Sequence, residues 1–489
     1  MKRNWQLWIF CAIHALILLV LFRSNLYHNA SLQHDISVFF NYSSQTVSGL
    51  LPYRDFTVEY PPLALVFFTL PRLVASSLSS YQIAFAVEIL IFDLLGLFLL
   101  SKLSRRLGLQ PAVTLAISTV LLLAIGPILI YRYDIIPAVL VLASLYAFSQ
   151  QKYRLSWAIL AAAVMTKLYP AVIAPILLLC LLSHRRYREA GWGIAVFAVT
   201  AAVITIPGLL ISPGGFWDSF SLQMQRGLHA DSTYASFLLL GETLGLTKVS
   251  IQIVGPTPLS VDAVSPFATT LVKIAPFIMI PTLCLIYWLF YRRSRSSVDL
   301  PSSLNPPAIA DLINYSFLAI LIFLLTSHVF SPQFLIWLFP IVPLVTLRRR
   351  HLPWLLLSLA AILTYYLYPL HYSSFRQEDP QMIYILLSRN ILLIALAVFS
   401  IVWRQPAPAY PEPRLKRISL KSYAFALTLV IAVSTILFFQ FSANSNILPG
   451  EANSEMPGDQ LPGGRSGDFQ HDGLPSLPRD NQPNNSGNR

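Results

Sequence analysis

The sequence predicts an all-α, polytopic membrane protein of about 13 transmembrane or re-entrant helices, roughly 20 residues each. Three observations carry that prediction. Apolar runs recur from end to end, with 55% of residues hydrophobic and only 11% charged. The runs are long and unalternating, which excludes an outer-membrane barrel. The basic residues behind the net charge of +12 lie in short clusters between the runs. That is the pattern of cytoplasmic loops, so membrane lipids are expected as partners and nucleic acid is not. Cys11, Cys180 and Cys284 fall inside apolar runs without ligand spacing and read as core thiols.

The basic clusters order the elements. Lys2 and Arg3 place the N-terminus inside, and a first crossing runs from about Trp5 to Phe22. No small-x-small cleavage site follows, so it reads as a retained helix rather than a signal peptide. His34 to Pro62 is the first long polar break and is expected outside; it carries Asp35, Arg54, Asp55 and Glu59. Pro62 to Val74 is short and broken by Pro71 and Arg72, so it reads as interfacial or re-entrant. Tyr81 to Ser101 returns to the cluster Lys102 to Arg106. Ala112 to Tyr131 runs outward, and Ile135 to Phe148 comes back to Lys152 and Arg154.

Leu155 to Leu182 has basic clusters at both ends and is broken by K-L-Y-P at Lys167 to Pro170. Two short helices meeting near the outer face satisfy the charge pattern. Non-helical backbone at that depth must be buried or line a cavity. Gly191 to Ile211 then runs out, Ser212 to Ser265 stays outside, and Pro266 to Tyr291 returns. Leu312 to Val329 runs out to the turn S-H-V-F-S-P-Q-F. A helix returns to Leu347–Arg350, and another reaches the outer loop H-Y-S-S-F-R-Q-E-D-P. Met382 to Trp403 runs inward. A basic linker (Arg404 to Lys421) and a thirteenth crossing complete a domain over 1–441. Residues 442–489, rich in Gly, Pro, Asn and Asp, read as a disordered extracytoplasmic tail. The sequence shows no convincing internal repeat.

With this topology Arg54, Arg132, Lys167, Arg226, His229, His328, Arg376 and Arg389 all break the positive-inside pattern on the outer side, beside Asp35, Glu59, Asp134 and Glu378. Charges at membrane depth are paired or functional. An outer excess of cations suits a lipid-linked phosphate. Plainer roles remain open. Asp35 can cap a helix beginning at Ile36. Glu59 can complement a helix N-terminus before Pro61–Pro62. Arg132 and Asp134 can pair with each other. Pro332–Gln333 can merely turn the chain, and His328 can merely pack. Lys167 resists a plain reading, because an apolar hairpin should not carry an unpaired ammonium.

P-Y-R-D-F-T-V-E-Y-P-P-L-A after the first helix, R-Y-D at Arg132–Asp134, K-L-Y-P, Q-R-G-L at Gln225–Leu228, S-P-Q-F-L-I-W-L-F-P at Ser331–Pro340 and S-R-N at Ser388–Asn390 span most of the chain. Together they resemble the GT-C superfamily of integral-membrane glycosyltransferases, and most closely glycosyltransferase family 87. The resemblance implies a GT-C-like fold with an amphipathic first outer loop, a polyprenyl-phosphate sugar donor and a catalytic acid in that loop. Asp35 matches the acid, with Glu59 the second catalytic candidate. An acceptor hydroxyl loses a proton as it attacks the anomeric carbon, and a carboxylate can take it. Arg54, Arg132, Lys167, Arg226 and His328 are candidates for the donor phosphate. Tyr60, Asp134, Tyr169, Gln333 and Arg389 are candidates for positioning substrate.

The implied enzyme is an inverting hexosyltransferase, with mannose the sugar the family favours and a lipid or glycan acceptor. No cofactor and no metal are required by this scheme. The implied setting is a bacterial plasma membrane, with the site extracytoplasmic. A transporter or flippase of polyprenyl-linked sugars is the rival reading; it needs charges along a transmembrane path rather than at one face. A catalytically dead scaffold of the same fold is a third.

Overall fold

The computed structural model describes residues 5–23, 30–254, 260–295, 306–347 and 349–402. The expectations for Lys2 and Arg3, for the linker and thirteenth crossing, and for the tail lie outside the described residues. Within them the chain is mostly helical, and eight helices are long and apolar enough to cross a membrane. Shorter apolar helical segments accompany them at Pro62–Arg72, Ile135–Ser149, Tyr153–Thr166, Tyr169–Ser183 and Pro332–Leu344, and the described residues do not confirm the exact count of about 13.

Helix α1 covers Trp5–Arg23 and α2 covers Ala30–Val47. Asp35 is thus inside α2 and cannot be its N-cap, contrary to the capping alternative. Leu32, Ile36, Phe39 and Ser43 of α2 are buried, a stripe at helical spacing that makes α2 amphipathic. It packs on α3 (Pro62–Arg72). Phe39 stacks on Phe68 at 4.1 Å, and Tyr60 meets Phe68 edge-on at 5.1 Å. Ring pairs of this geometry add about 0.5–1.5 kcal/mol each beyond burial.

Helix α4 (Leu78–Arg106) opens on a capping box in which Ser77 and Ser80 satisfy each other's backbone N–H. Helix α5 (Pro111–Ile125) starts with proline in its first turn and stops at Gly126. Gly126 has φ 59°, a left-handed conformation that ends the helix. A short 3-10 turn, Gly126–Leu129, leads into Tyr131–Asp134. Helix α6 (Ile135–Ser149) runs away from that turn and α7 (Tyr153–Thr166) returns to it. The break at Lys167 falls where the sequence places it, with α8 (Ala174–Ser183) beyond a 3-10 turn at Tyr169–Ile173.

Helix α9 (Tyr187–Ile211) is followed by α10 (Pro213–Met224) and α11 (Thr233–Thr243). Strands β1 (Ser250–Val254) and β2 (Ser260–Val264) then pair antiparallel, Ile251 opposite Ala263. This hairpin is the departure from an all-α chain. Helices α12 (Ala268–Arg295) and α13 (Pro306–Thr326) follow. The expected helix after Ser331 is instead two 3-10 turns, Pro332–Leu338 and Val342–Leu344. Pro332, Pro340 and Pro343 remove backbone donors there, so no long α-helix forms. Helices α14 (Leu352–Tyr365), α15 (Tyr372–Arg376) and α16 (Pro380–Val402) complete the described chain.

A candidate active site at the Tyr131–Asp134 turn

Four carboxylates and four cations converge on the loops around Tyr131–Asp134. Asp35 pairs with Arg132, Oδ2 to Nε at 2.9 Å. Arg132 is fixed by its other nitrogens: Nη1 donates to the Leu32 carbonyl (3.1 Å) and the Tyr131 carbonyl (2.9 Å), and Nη2 donates to the Tyr368 hydroxyl (2.6 Å). A planar guanidinium with five fixed donors can hold such a set; a lysine cannot. The Asp35 side chain keeps 25% of its surface while Arg132 keeps 5%. The carboxylate is therefore the accessible member of the pair.

Asp134 belongs to a different pair. Its Oδ1 accepts from Lys167 Nζ at 2.5 Å and from the Trp337 indole N–H at 2.6 Å. Arg132 and Asp134 do not pair with each other, because alternate residues of the turn point to different neighbours. Lys167 is likewise not unpaired. Its ammonium lies 4.7, 4.9 and 5.2 Å from the ring centres of Tyr133, Phe334 and Trp337. Tyr169 stacks on Trp337 at 3.9 Å and 2°. An ammonium has three donors; one is on Asp134, and the Lys167 side chain keeps 16% of its surface.

Glu59 lies 3.8 Å from Arg226, too far for a hydrogen bond. The Gln223 amide holds the Glu59 carbonyl at 3.0 Å. Burial pushes the Glu59 carboxyl up to about 7; Arg226 opposes this and the Asp35 charge adds to it. His328 lies against the Arg226 main chain, and burial lowers its imidazole. The His229 amide N–H donates to the His328 carbonyl at 3.0 Å. Burial, with Arg226 and Arg389 nearby, lowers His229 to about 3, so its ring is neutral at physiological pH.

The fourth pair is Asp231 with Arg389, 4.0 Å apart, with Arg389 Nη2 also donating to the Asp231 carbonyl at 2.5 Å. Burial pushes Asp231 up to about 6. Arg132, Lys167, Arg226 and Arg389 thus each face a carboxylate. Several buried polar atoms here have no hydrogen-bond partner: Asp134 Oδ2, the Tyr133 and Tyr169 hydroxyls and His328 Nε2. Each such group costs about 1–3 kcal/mol when left unsatisfied in a closed fold.

Of the residues selected from sequence, Tyr60 packs edge-on to Tyr133 at 5.5 Å, and Gln333 is half-buried on the 3-10 turn. Arg54 stands apart: it is 56% exposed and forks onto its neighbour Asp55. Sequence reasoning missed Asp231, Tyr368 and Trp337. Asp231 precedes Ser232, the N-cap of α11, and so looks like part of a cap. It also missed charges at membrane depth. His14 Nδ1 lies 2.7 Å from Asp93 Oδ2, and His14 Nε2 lies 3.0 Å from Thr119 Oγ1. Glu88, also on α4, has both carboxylate oxygens buried without a hydrogen bond. Charges therefore do not all gather at one face.

The sequence matches the model of glycosyltransferase family 87 over residues 56–323. No curated protein matches it in sequence. Two solved structures show a distant likeness. One is the oligosaccharyltransferase of Archaeoglobus fulgidus, tethered to an acceptor peptide containing the NVT sequon: 13% identity, TM-score 0.37, covering 83% of this chain and 56% of that one. The other is ArnT from Cupriavidus metallidurans in the apo state: 14% identity, TM-score 0.35, covering 80% of this chain and 76% of that one. The chain thus spans just over half the length of the oligosaccharyltransferase.

Proposed function

We propose, from the premise that this chain belongs to glycosyltransferase family 87, that it moves a hexose, mannose by family preference, from a polyprenyl-phosphate donor to an extracytoplasmic lipid or glycan acceptor. The observation that supports this reading most is the partly open Asp35 carboxylate on a buried Arg132 held through both terminal nitrogens. Asp35 accepts the proton of the acceptor hydroxyl as that oxygen attacks the anomeric carbon. The bond from that carbon to the phosphate oxygen breaks on the opposite face, and the lipid phosphate leaves with the bonding pair. The anomeric centre inverts. Lys167, with donors left over from Asp134, and Arg226 and His328 meet the phosphate charge as it grows. Glu59 governs Arg226: ionised it competes for the guanidinium, protonated it releases it. Tyr169 and Tyr60 offer ring surface to the sugar. No step calls for a metal.

A second reading gives the base role to Glu59, because burial places its carboxyl near 7, matched to a neutral working pH. The transporter reading rests on Glu88 and the His14–Asp93 pair inside the membrane-spanning helices. A panel of radiolabelled polyprenyl-phosphate hexoses offered to the full chain in liposomes separates transfer from transport. Label in a lipid or glycan product, unchanged by a chelator, supports transfer without metal. Label crossing the bilayer still attached to its polyprenyl carrier sinks it in favour of transport.

A further inference from the structure

At the far ends of α6, α7 and α9 from Lys167 the chain forms an open pocket of about 670 Å³. Helix α7 has 14 residues, so about 21 Å of helix separates this pocket from the Lys167 break. Four cations line it: Lys152, Arg154, Arg186 and Arg188, against the single carboxylate Glu189. Two of the guanidiniums lie over aromatic rings, Arg154 over Trp192 at 4.7 Å and Arg186 over Tyr153 at 5.5 Å. Contacts of this kind fix a guanidinium's plane. The positive-inside pattern accounts for basic residues at this face, but not for their convergence on one cavity with aromatic backing.

The wall of the pocket continues into an apolar surface. Trp192 is 48% exposed, and on the same face of α9 Val199 and Val203 are 62% and 65% exposed. A molecule with an anionic head in the pocket lays its chains along this face. A free phosphate compound uses the cations and ignores the α9 surface. We propose that this pocket binds the phosphate headgroup of an anionic phospholipid from the leaflet opposite the active site, with its acyl chains on α9. Basic pockets between transmembrane helices recognise such headgroups by charge-assisted hydrogen bonds.

The test uses the full chain, purified in detergent, and native mass spectrometry to count retained lipid during titration with phosphatidylglycerol or phosphatidylcholine. The expected result is retention of phosphatidylglycerol over phosphatidylcholine. The double substitution Arg154→Gln/Arg188→Gln should weaken that retention roughly thirtyfold, the loss of two basic residues against an anionic headgroup. Lys102→Gln, at a basic cluster outside the pocket, should leave it unchanged. Equal loss in Lys102→Gln, or none in the double variant, overturns the proposal. Inorganic pyrophosphate displacing the lipid at equal concentration overturns the lipid as the occupant. Should the double variant not fold, a photo-crosslinking phosphatidylglycerol on the unmodified protein decides the matter. Labelling of the Tyr187–Gly193 segment supports the site, and labelling confined to other helices refutes it.

Discussion

Asp134 and Lys167 form a buried pair whose energetics can be worked out from their surroundings. The Asp134 side chain is 1% exposed and that of Lys167 16%. Removing one partner of such a pair costs about 3–5 kcal/mol, because the other charge is left buried. In Asp134→Asn the amide oxygen still accepts from Trp337, so only the charge is lost. The stranded ammonium keeps three aromatic rings within 5.2 Å, which offset about 1–2 kcal/mol. The expected net loss is therefore about 2–3 kcal/mol. Lys167→Met strands the carboxylate, which rings repel, so the full 3–5 kcal/mol of about that size is expected. Combining Asp134→Asn with Lys167→Met removes both charges and should return stability to within about 1 kcal/mol of wild type. Thermal unfolding midpoints in detergent rank the four proteins. The double variant should melt near wild type, Asp134→Asn below it, and Lys167→Met lowest. A double variant that melts as low as the two single losses added together would show the residues to be uncoupled and refute the pairing.

Other outcomes follow from the same geometry. Arg132→Lys keeps the charge and loses the fork that orients Asp35, so turnover should fall about tenfold to a hundredfold with the donor KM little changed, as steady-state transfer kinetics will show. Glu59 ionises near 7 in the folded chain against 4.5 ordinarily. The native state thus holds that proton more tightly than the unfolded chain, and stability falls as pH rises from about 4.5 to 7. Glu59→Gln should remove this component, so that its melting temperature falls less with rising pH than that of wild type; an unchanged slope assigns the effect elsewhere. Arg54→Ala should leave transfer within about twofold, since its ion pair with Asp55 is exposed and screened; a large loss would return Arg54 to the donor site.

The sequence made the helical order legible because hydropathy and basic clusters record the membrane directly. The break at Lys167 was readable for the same reason: an apolar stretch with basic clusters at both ends cannot be a single crossing under the positive-inside pattern. The pairing of charges was not readable. Asp35 and Arg132 lie far apart in the chain, and which residue of Arg132–Tyr133–Asp134 faces which partner depends on the turn set by Gly126. Asp231 hid beside an ordinary N-cap. The 3-10 turns after Ser331 were missed because hydropathy sees apolar residues there and does not weigh three prolines. The hairpin of β1 and β2 lies in a polar segment without the long apolar run that a crossing announces.

The central claim is that Asp35 takes a proton during sugar transfer. The most direct measurement compares wild type, Asp35→Asn and Glu59→Gln in one liposome preparation, for label transfer and for donor binding. Asp35→Asn should lose about a hundredfold to ten-thousandfold in transfer rate while binding the polyprenyl-phosphate donor as wild type does, with Glu59→Gln far less affected. Robust transfer by Asp35→Asn, with the loss appearing in Glu59→Gln instead, would contradict the account and move the base to Glu59.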